Sequence, residues 1–167
     1  MKTTVNTHAI SKWVMMASTA LALAMLALPA HAFGLQGGGG QVGSLDPEHG
    51  DMGLALGAHL DMEQAGTHWH LKPNVLYWNS DPEKGFDGNV DAFYHFNAQS
   101  KTGPYLGGGL GVAVVDHEVT GTETNGAANV IGGVLFPSGT KNNLFLEGRY
   151  TASEVQQASI SLGLTLR

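Results

Sequence analysis

From Asp51 to Met62 the chain alternates with a period of two. Met52, Leu54, Leu56, Ala58, Leu60 and Met62 occupy one phase, and Gly53, Ala55, Gly57, His59 and Asp61 the other. No other feature restricts the fold as much. A soluble helix repeats its apolar residues at three and four, so this alternation predicts a strand with one apolar and one polar face. The pattern recurs at 68–78, 89–96, 104–115, 127–136, 143–150 and 157–166, and more weakly in the glycine-rich stretch 33–43. In 157–166, for example, Ala158, Ile160, Leu162, Leu164 and Leu166 oppose Gln157, Ser159, Ser161, Gly163 and Thr165. Between these segments stand DPEHG, DPEKG, SKTG, TNG and PSGT, all of them turn chemistry. The expectation is an all-β chain of eight antiparallel strands in up-and-down order.

The first 32 residues differ. Lys2 and Lys12 precede an apolar run from Trp13 to Pro29, and Ala30-His31-Ala32 places small residues two apart. This is the layout of a secretory signal peptide, so cleavage is expected after Ala32, leaving 33–167 as one domain. A retained anchor would need roughly 20 uninterrupted apolar residues, and Ser18, Thr19 and Pro29 interrupt this run. Without Lys2 and Lys12, 6 basic side chains face 14 acidic ones, which argues against nucleic acid as a partner. The chain has no cysteine, and so neither disulfides nor a thiolate metal site. No later segment is long enough for a transmembrane helix. A membrane contact would therefore require a closed barrel of strands.

Alternation does not say which face is inside. In a soluble barrel or sandwich the apolar face is the core; in a membrane barrel it meets lipid around a polar interior. Three features favour the second arrangement. With the N-terminus on the periplasmic side, Trp69, Tyr77, Phe96, Phe136 and Tyr150 lie in the apolar phase near strand ends, where interfacial aromatic girdles sit. The opposite phase carries His59, Asp61, Lys72, Asp91, His95, Glu147 and Arg149 among glycines. Charges enclosed in an eight-stranded barrel must pair, because an uncompensated buried charge costs several kcal/mol. Asp91, Glu147 and Arg149 are thus expected to form a network, with Lys72, His59 and His95 around it. Finally, acids crowd the alternate connections 44–51, 79–88, 116–126 and 151–156. These hold Asp46, Glu48, Asp51, Asp81, Glu83, Asp87, Asp116, Glu118, Glu123 and Glu154, and the opposite turns hold mainly Glu63, Lys101 and Lys141.

The segments GPYLGGGLGV (103–112), NLFLEGRY (143–150) and ISLGLTLR (160–167) resemble the small eight-stranded outer-membrane barrels, the group of the OmpA transmembrane domain, OmpX and the opacity-type adhesins. The likeness covers nearly all of 33–167. It implies a transmembrane β-barrel in a Gram-negative outer membrane, short periplasmic turns, and a lumen filled by a salt-bridge network to which Glu147 and Arg149 would belong. The implied partners are outer-membrane lipid, lipopolysaccharide and the outer-membrane assembly machinery, and the implied state is a monomer. Such barrels usually end in an aromatic residue, and this sequence has Leu166-Arg167 there.

Candidate chemistry is sparse. Gly38, Gly40 and Gly43 satisfy G-x-G-x-x-G, but that motif binds dinucleotides only between a strand and a helix, and no helix follows. The run 107–111 lacks the Lys-Ser/Thr of a P-loop. His68 and His70, two apart on one expected strand, could share a metal with His59, His95 or Asp61, though hydrogen-bonded filling of the lumen is the plainer reading. A lipid-cleaving triad would need a serine and a histidine within reach on one wall; the candidates Ser80, Ser159 and Ser161 have no evident partner among His49, His117 and the others. Eight strands leave no aqueous channel. The expectation is a non-enzymatic outer-membrane barrel without cofactor or metal, structural or surface-interacting in role. A lipid-A-modifying enzyme on the same scaffold and a soluble periplasmic barrel holding an apolar ligand are the alternatives.

Overall fold

The computed structural model describes residues 33–48, 51–81, 83–96, 102–117, 121–154 and 156–167. The segment read as a signal peptide, 1–32, lies outside the described residues. Eight strands follow one another, β1 (Phe33–Pro47), β2 (Gly53–Gln64), β3 (Trp69–Ser80), β4 (Glu83–His95), β5 (Gly103–His117), β6 (Gly121–Ser138), β7 (Asn142–Ala152) and β8 (Gln157–Leu166). Each is antiparallel to the next, and β1 pairs with β8 from Gly38↔Leu166 to Pro47↔Gln157, which closes the barrel. The expected eight-stranded up-and-down barrel is the fold.

The registers set the strand tilt. A circuit from Leu35 passes to Met62 and Leu71, then through Ala92, Gly108, Val130, Tyr150 and Ala158. It returns to β1 at Asp46, farther along the strand than it began. Closing a sheet with such a stagger forces the strands to lean against the barrel axis, and each step around the wall climbs away from the end that holds the termini.

The apolar phase faces outward. Leu54, Leu56, Leu60, Leu106, Leu110, Val130, Leu146, Ile160 and Leu162 are all exposed, and the alternate residues are buried or half-buried. This arrangement contradicts the alternative of a soluble barrel with an apolar interior. The lumen is solid. Leu45, Ala55, Leu76, Trp78 and Val115 fill the part remote from the termini, Phe93, Tyr105 and Ile131 fill a part nearer them, and polar side chains lie between. Lumen glycines make this possible. A Cβ on Gly85 would sit 2.4 Å from the Trp78 ring, one on Gly163 2.1 Å from Phe145, and one on Gly109 2.2 Å from Asp91 Oδ1. The glycines of GPYLGGGLGV thus make room for neighbours on the adjacent strand, Phe93, Asp91 and Asn89, rather than for Arg149 from across the lumen.

The strands run farther than the alternation suggested. β4 begins at Glu83 and β6 at Gly121, so most of the expected outward loops 79–88 and 116–126 are strand. Two acids assigned there, Glu83 and Asp87, are lumen residues, 5 % and 3 % exposed. The reason is visible in the phase: Phe86 points to the outside, which turns Glu83, Gly85 and Asp87 inward. The alternation thus continues through the turn-forming residues of DPEKG and DG.

Candidate functional site

The polar centre of the lumen is built by β3, β4, β5, β6 and β7. Arg149 donates to Asp91 at 2.6 and 3.3 Å and to Glu147 at 3.1 Å. Glu147 also accepts from Lys72 Nζ and, at 2.8 Å, from the Tyr105 hydroxyl. These groups are among the most deeply enclosed of the protein, with Asp91 0 % and Glu147 1 % exposed. Two cations thus alternate with two carboxylates, so the cluster has no net charge. The Lys72 ammonium also lies 5.0, 5.6 and 5.7 Å from the ring centres of Phe145, Phe93 and Tyr105, a cation–π arrangement that is strongest when desolvated.

An amide layer continues the network. Asn74 donates to Asp91 at 2.7 Å, Asn129 donates to Asn89 at 2.8 Å and to Asp91 at 3.4 Å, and Thr151 donates to Asn129 at 2.9 Å. On the side of the termini a second group ties β2 to β3 and to the chain end. There Asp61 pairs with His70 at 2.9 Å and with Arg167 at 2.9 Å, while His59 bonds Thr165 at 2.8 Å. His95 meets His70 edge-on, with ring centres 6.3 Å apart. The structure therefore joins Lys72, Asp91, Glu147 and Arg149 directly, and places His59 and His95 in the neighbouring layer.

Several members were not singled out from sequence. Asn74, Asn89, Asn129, Tyr105 and Thr151 share the lumen phase of their strands, and that shared phase was the available signal. Arg167 had no such signal, because it follows the last strand.

On the outer wall Trp69, Tyr77, Phe96, Phe136 and Tyr150 are all exposed, each near a strand end. Tyr94 packs on Trp69 and Phe96 on the side of the termini, with ring centres 5.4 Å apart in both cases. Phe86 pairs with Tyr77 on the opposite side. The exterior is an apolar belt bordered by aromatics at both margins.

No protein-family model and no curated protein matches the chain. Solved structures do. Neisserial surface protein A superposes with a TM-score of 0.65 at 16% identity, over 81% of this chain and 96% of its own. The N-terminal β-barrel domain of Pseudomonas aeruginosa OprF superposes at 0.61 and 16%, over 80% and 98%. The outer membrane enzyme PagL superposes at 0.52 and 15%, over 77% and 98%. The fold is that of the small eight-stranded outer-membrane barrels.

Within that outer-membrane barrel fold, the remaining sequence candidates separate. His68 precedes β3 instead of lying on it. Its Nδ1 stands 3.2 Å from the Tyr94 hydroxyl on the outer wall, away from His70 in the lumen. The two therefore do not share one side, and no group of three or more metal-ligating side chains is assembled among the described residues. Ser80, Ser159 and Ser161 all stand in the lumen phase, and Ser80 donates to the Asp51 carbonyl. Gly38, Gly40 and Gly43 lie within β1, paired with β2 and β8 on either side, where no phosphate could be cradled.

Proposed function

We propose that this chain is an outer-membrane β-barrel with a structural or surface-interaction role and no reaction of its own. The observation that carries the reading is the inverted partition of side chains: a polar lumen centred on a charge-balanced, hydrogen-bonded cluster, inside an apolar exterior bordered by aromatics. In water such an exterior would expose far more contiguous apolar surface than soluble monomers show; in a bilayer it is the required surface. Lipid and lipopolysaccharide are then the surroundings of the belt, the assembly machinery inserts it, and a closed barrel with no open edge across the belt can remain a monomer.

A barrel enzyme shares the fold, so the fold alone does not separate the two roles. The position of the hydroxyls favours the non-enzymatic one. A lipid-cleaving serine must stand on the wall that touches lipid with a histidine in reach. Ser80, Ser159 and Ser161 are turned to the lumen, and Ser44, in the outward phase between Leu54 and Ile160, has no imidazole hydrogen-bonded to it among the described residues.

Cell fractionation with heat-dependent gel migration tests the location. The expected result is a detergent-extracted membrane protein that migrates faster unheated; recovery in a detergent-free periplasmic extract would refute it. Mass spectrometry of lipid A from cells with and without the protein tests the role. Identical acyl patterns are expected, and loss of a chain would make the protein an enzyme.

A further inference from the structure

Strand β6 has unequal partners on its two sides. β5 accompanies it as far as His117↔Gly121, whereas pairing with β7 starts only at Ala128↔Ala152. Residues 121–127, Gly-Thr-Glu-Thr-Asn-Gly-Ala, therefore form a sheet edge paired on one side only, among the described residues. Such an edge presents a row of unpaired N–H and C=O groups that can template another strand, and proteins usually blunt it with proline, lysine or a bulge. Here the segment contains neither residue, and its register with β5 is unbroken.

The edge stands beyond the apolar belt. Thr124 is reached from Phe86 through Val114, and each step in that direction climbs away from the termini, so Thr124 lies higher than the aromatic margin at Phe86. Its chemistry is acidic. Glu123 is exposed on the edge, and the exposed Glu154 of the β7–β8 connection brings its carboxylate within 3.2 Å of the Asn125 side-chain amide group. Lys84 is the described cation at this end, and it already faces Asp116 at 3.3 Å.

We infer that the free edge of β6 at 121–127 is a docking site where an extended, basic polypeptide segment adds as a further strand. Main-chain hydrogen bonds would supply the affinity, and lysine or arginine side chains opposite Glu123 would set the register, as in β-strand addition generally. A second copy of the chain fits less well. A symmetric antiparallel pairing about Thr124 sets Glu123 of each copy opposite Asn125 of the other and diagonal to the other Glu123, so it brings acid toward acid and supplies neither edge with a cation from the described residues.

The inference rests on the outer-membrane reading for its access to the cell exterior, but its test in micelles is independent of where the protein resides. The probe is the peptide Lys-Val-Lys-Thr-Lys-Val-Lys, added to the protein refolded in zwitterionic detergent, with amide hydrogen exchange followed by NMR. Binding should slow exchange at alternate amides within 121–127 and nowhere else. The same peptide N-methylated at alternate amides keeps its charge but loses one row of donors, and should not bind. Glu123→Lys, an exposed change that should leave heat-dependent migration intact, should weaken binding by about tenfold or more through like-charge placement. Equal binding of the methylated peptide, protection outside 121–127, or no binding at all overturns the inference. So does prior protection of the edge in a sedimenting dimer, which would show that a second copy occupies it.

Discussion

Replacing Arg149 by leucine removes the one cation bonded to Asp91 among the described residues. Breaking a buried ion pair by deleting one partner costs about 3–5 kcal/mol, because the other charge is left enclosed and uncompensated. The geometry places the effect at the low end of that range. Glu147 keeps Lys72 and the Tyr105 hydroxyl, and Asp91 keeps the amides of Asn74 and Asn129. Leucine also fills much of the vacated volume. The expected loss is therefore about 3 kcal/mol, located mainly at Asp91. The second change Asp91→Asn, made in the Arg149→Leu background, removes the stranded charge while keeping a group that can accept from Asn74, and should recover about 2 kcal/mol. Urea unfolding of the refolded protein, followed by tryptophan fluorescence and by heat-dependent migration, measures both. An Arg149→Leu protein within about 0.5 kcal/mol of the parent, the range of an ordinary surface change, would refute the network as a source of stability. A loss that Asp91→Asn fails to recover would assign the effect to packing instead.

Three further outcomes follow from the same geometry. Gly109→Ala should destabilise by about 1–3 kcal/mol through overpacking against Asp91, whereas Gly88→Ala, whose Cβ meets nothing within 4 Å, should be neutral or gain a few tenths; equal effects in urea unfolding would contradict the inside–outside assignment. Leu110→Arg, at a site 68 % exposed, should cost about 2–4 kcal/mol in a bilayer if it lies near the midplane, and an unchanged stability there would contradict lipid contact. In protein lacking residues 1–32 only Trp69 and Trp78 remain, one exposed and one fully buried; brominated lipid should quench a Trp78→Phe protein strongly and a Trp69→Phe protein weakly, and the reverse order would exchange their faces.

The lumen network was legible because its members share a phase. Asp91, Glu147 and Arg149 sit in the polar alternation of strands whose other residues are plainly apolar, and enclosure forces such charges to pair. The cage of rings around Lys72 was not legible, since phase says that Phe93, Tyr105 and Phe145 point inward but not that three strands bring them to one ammonium. Two departures from the alternation have separate physical causes. Where β4 and β6 pass beyond the belt, both phases turn polar or small, and turn-forming residues such as those of DPEKG then outweigh a weakened alternation. Glu83 and Asp87 are lumen residues there despite the turn chemistry around them, because the outward Phe86 keeps the phase. His68 departs because β3 begins at Trp69, one residue later than the alternation implies, which is enough to put its side chain on a different surface.

Period two, sustained over segment after segment with turn chemistry between, by itself determined strands, their number and the two faces of each. Those are local properties, because successive side chains of an extended backbone must point to opposite sides. Pairing offset was not local. Only the closed structure decided the stagger that carries Leu35 round to Asp46, and with it which charge meets which across the lumen and which length of β6 is paired on one side only. Register is set by the whole ring of strands at once, so no single segment of sequence contains it.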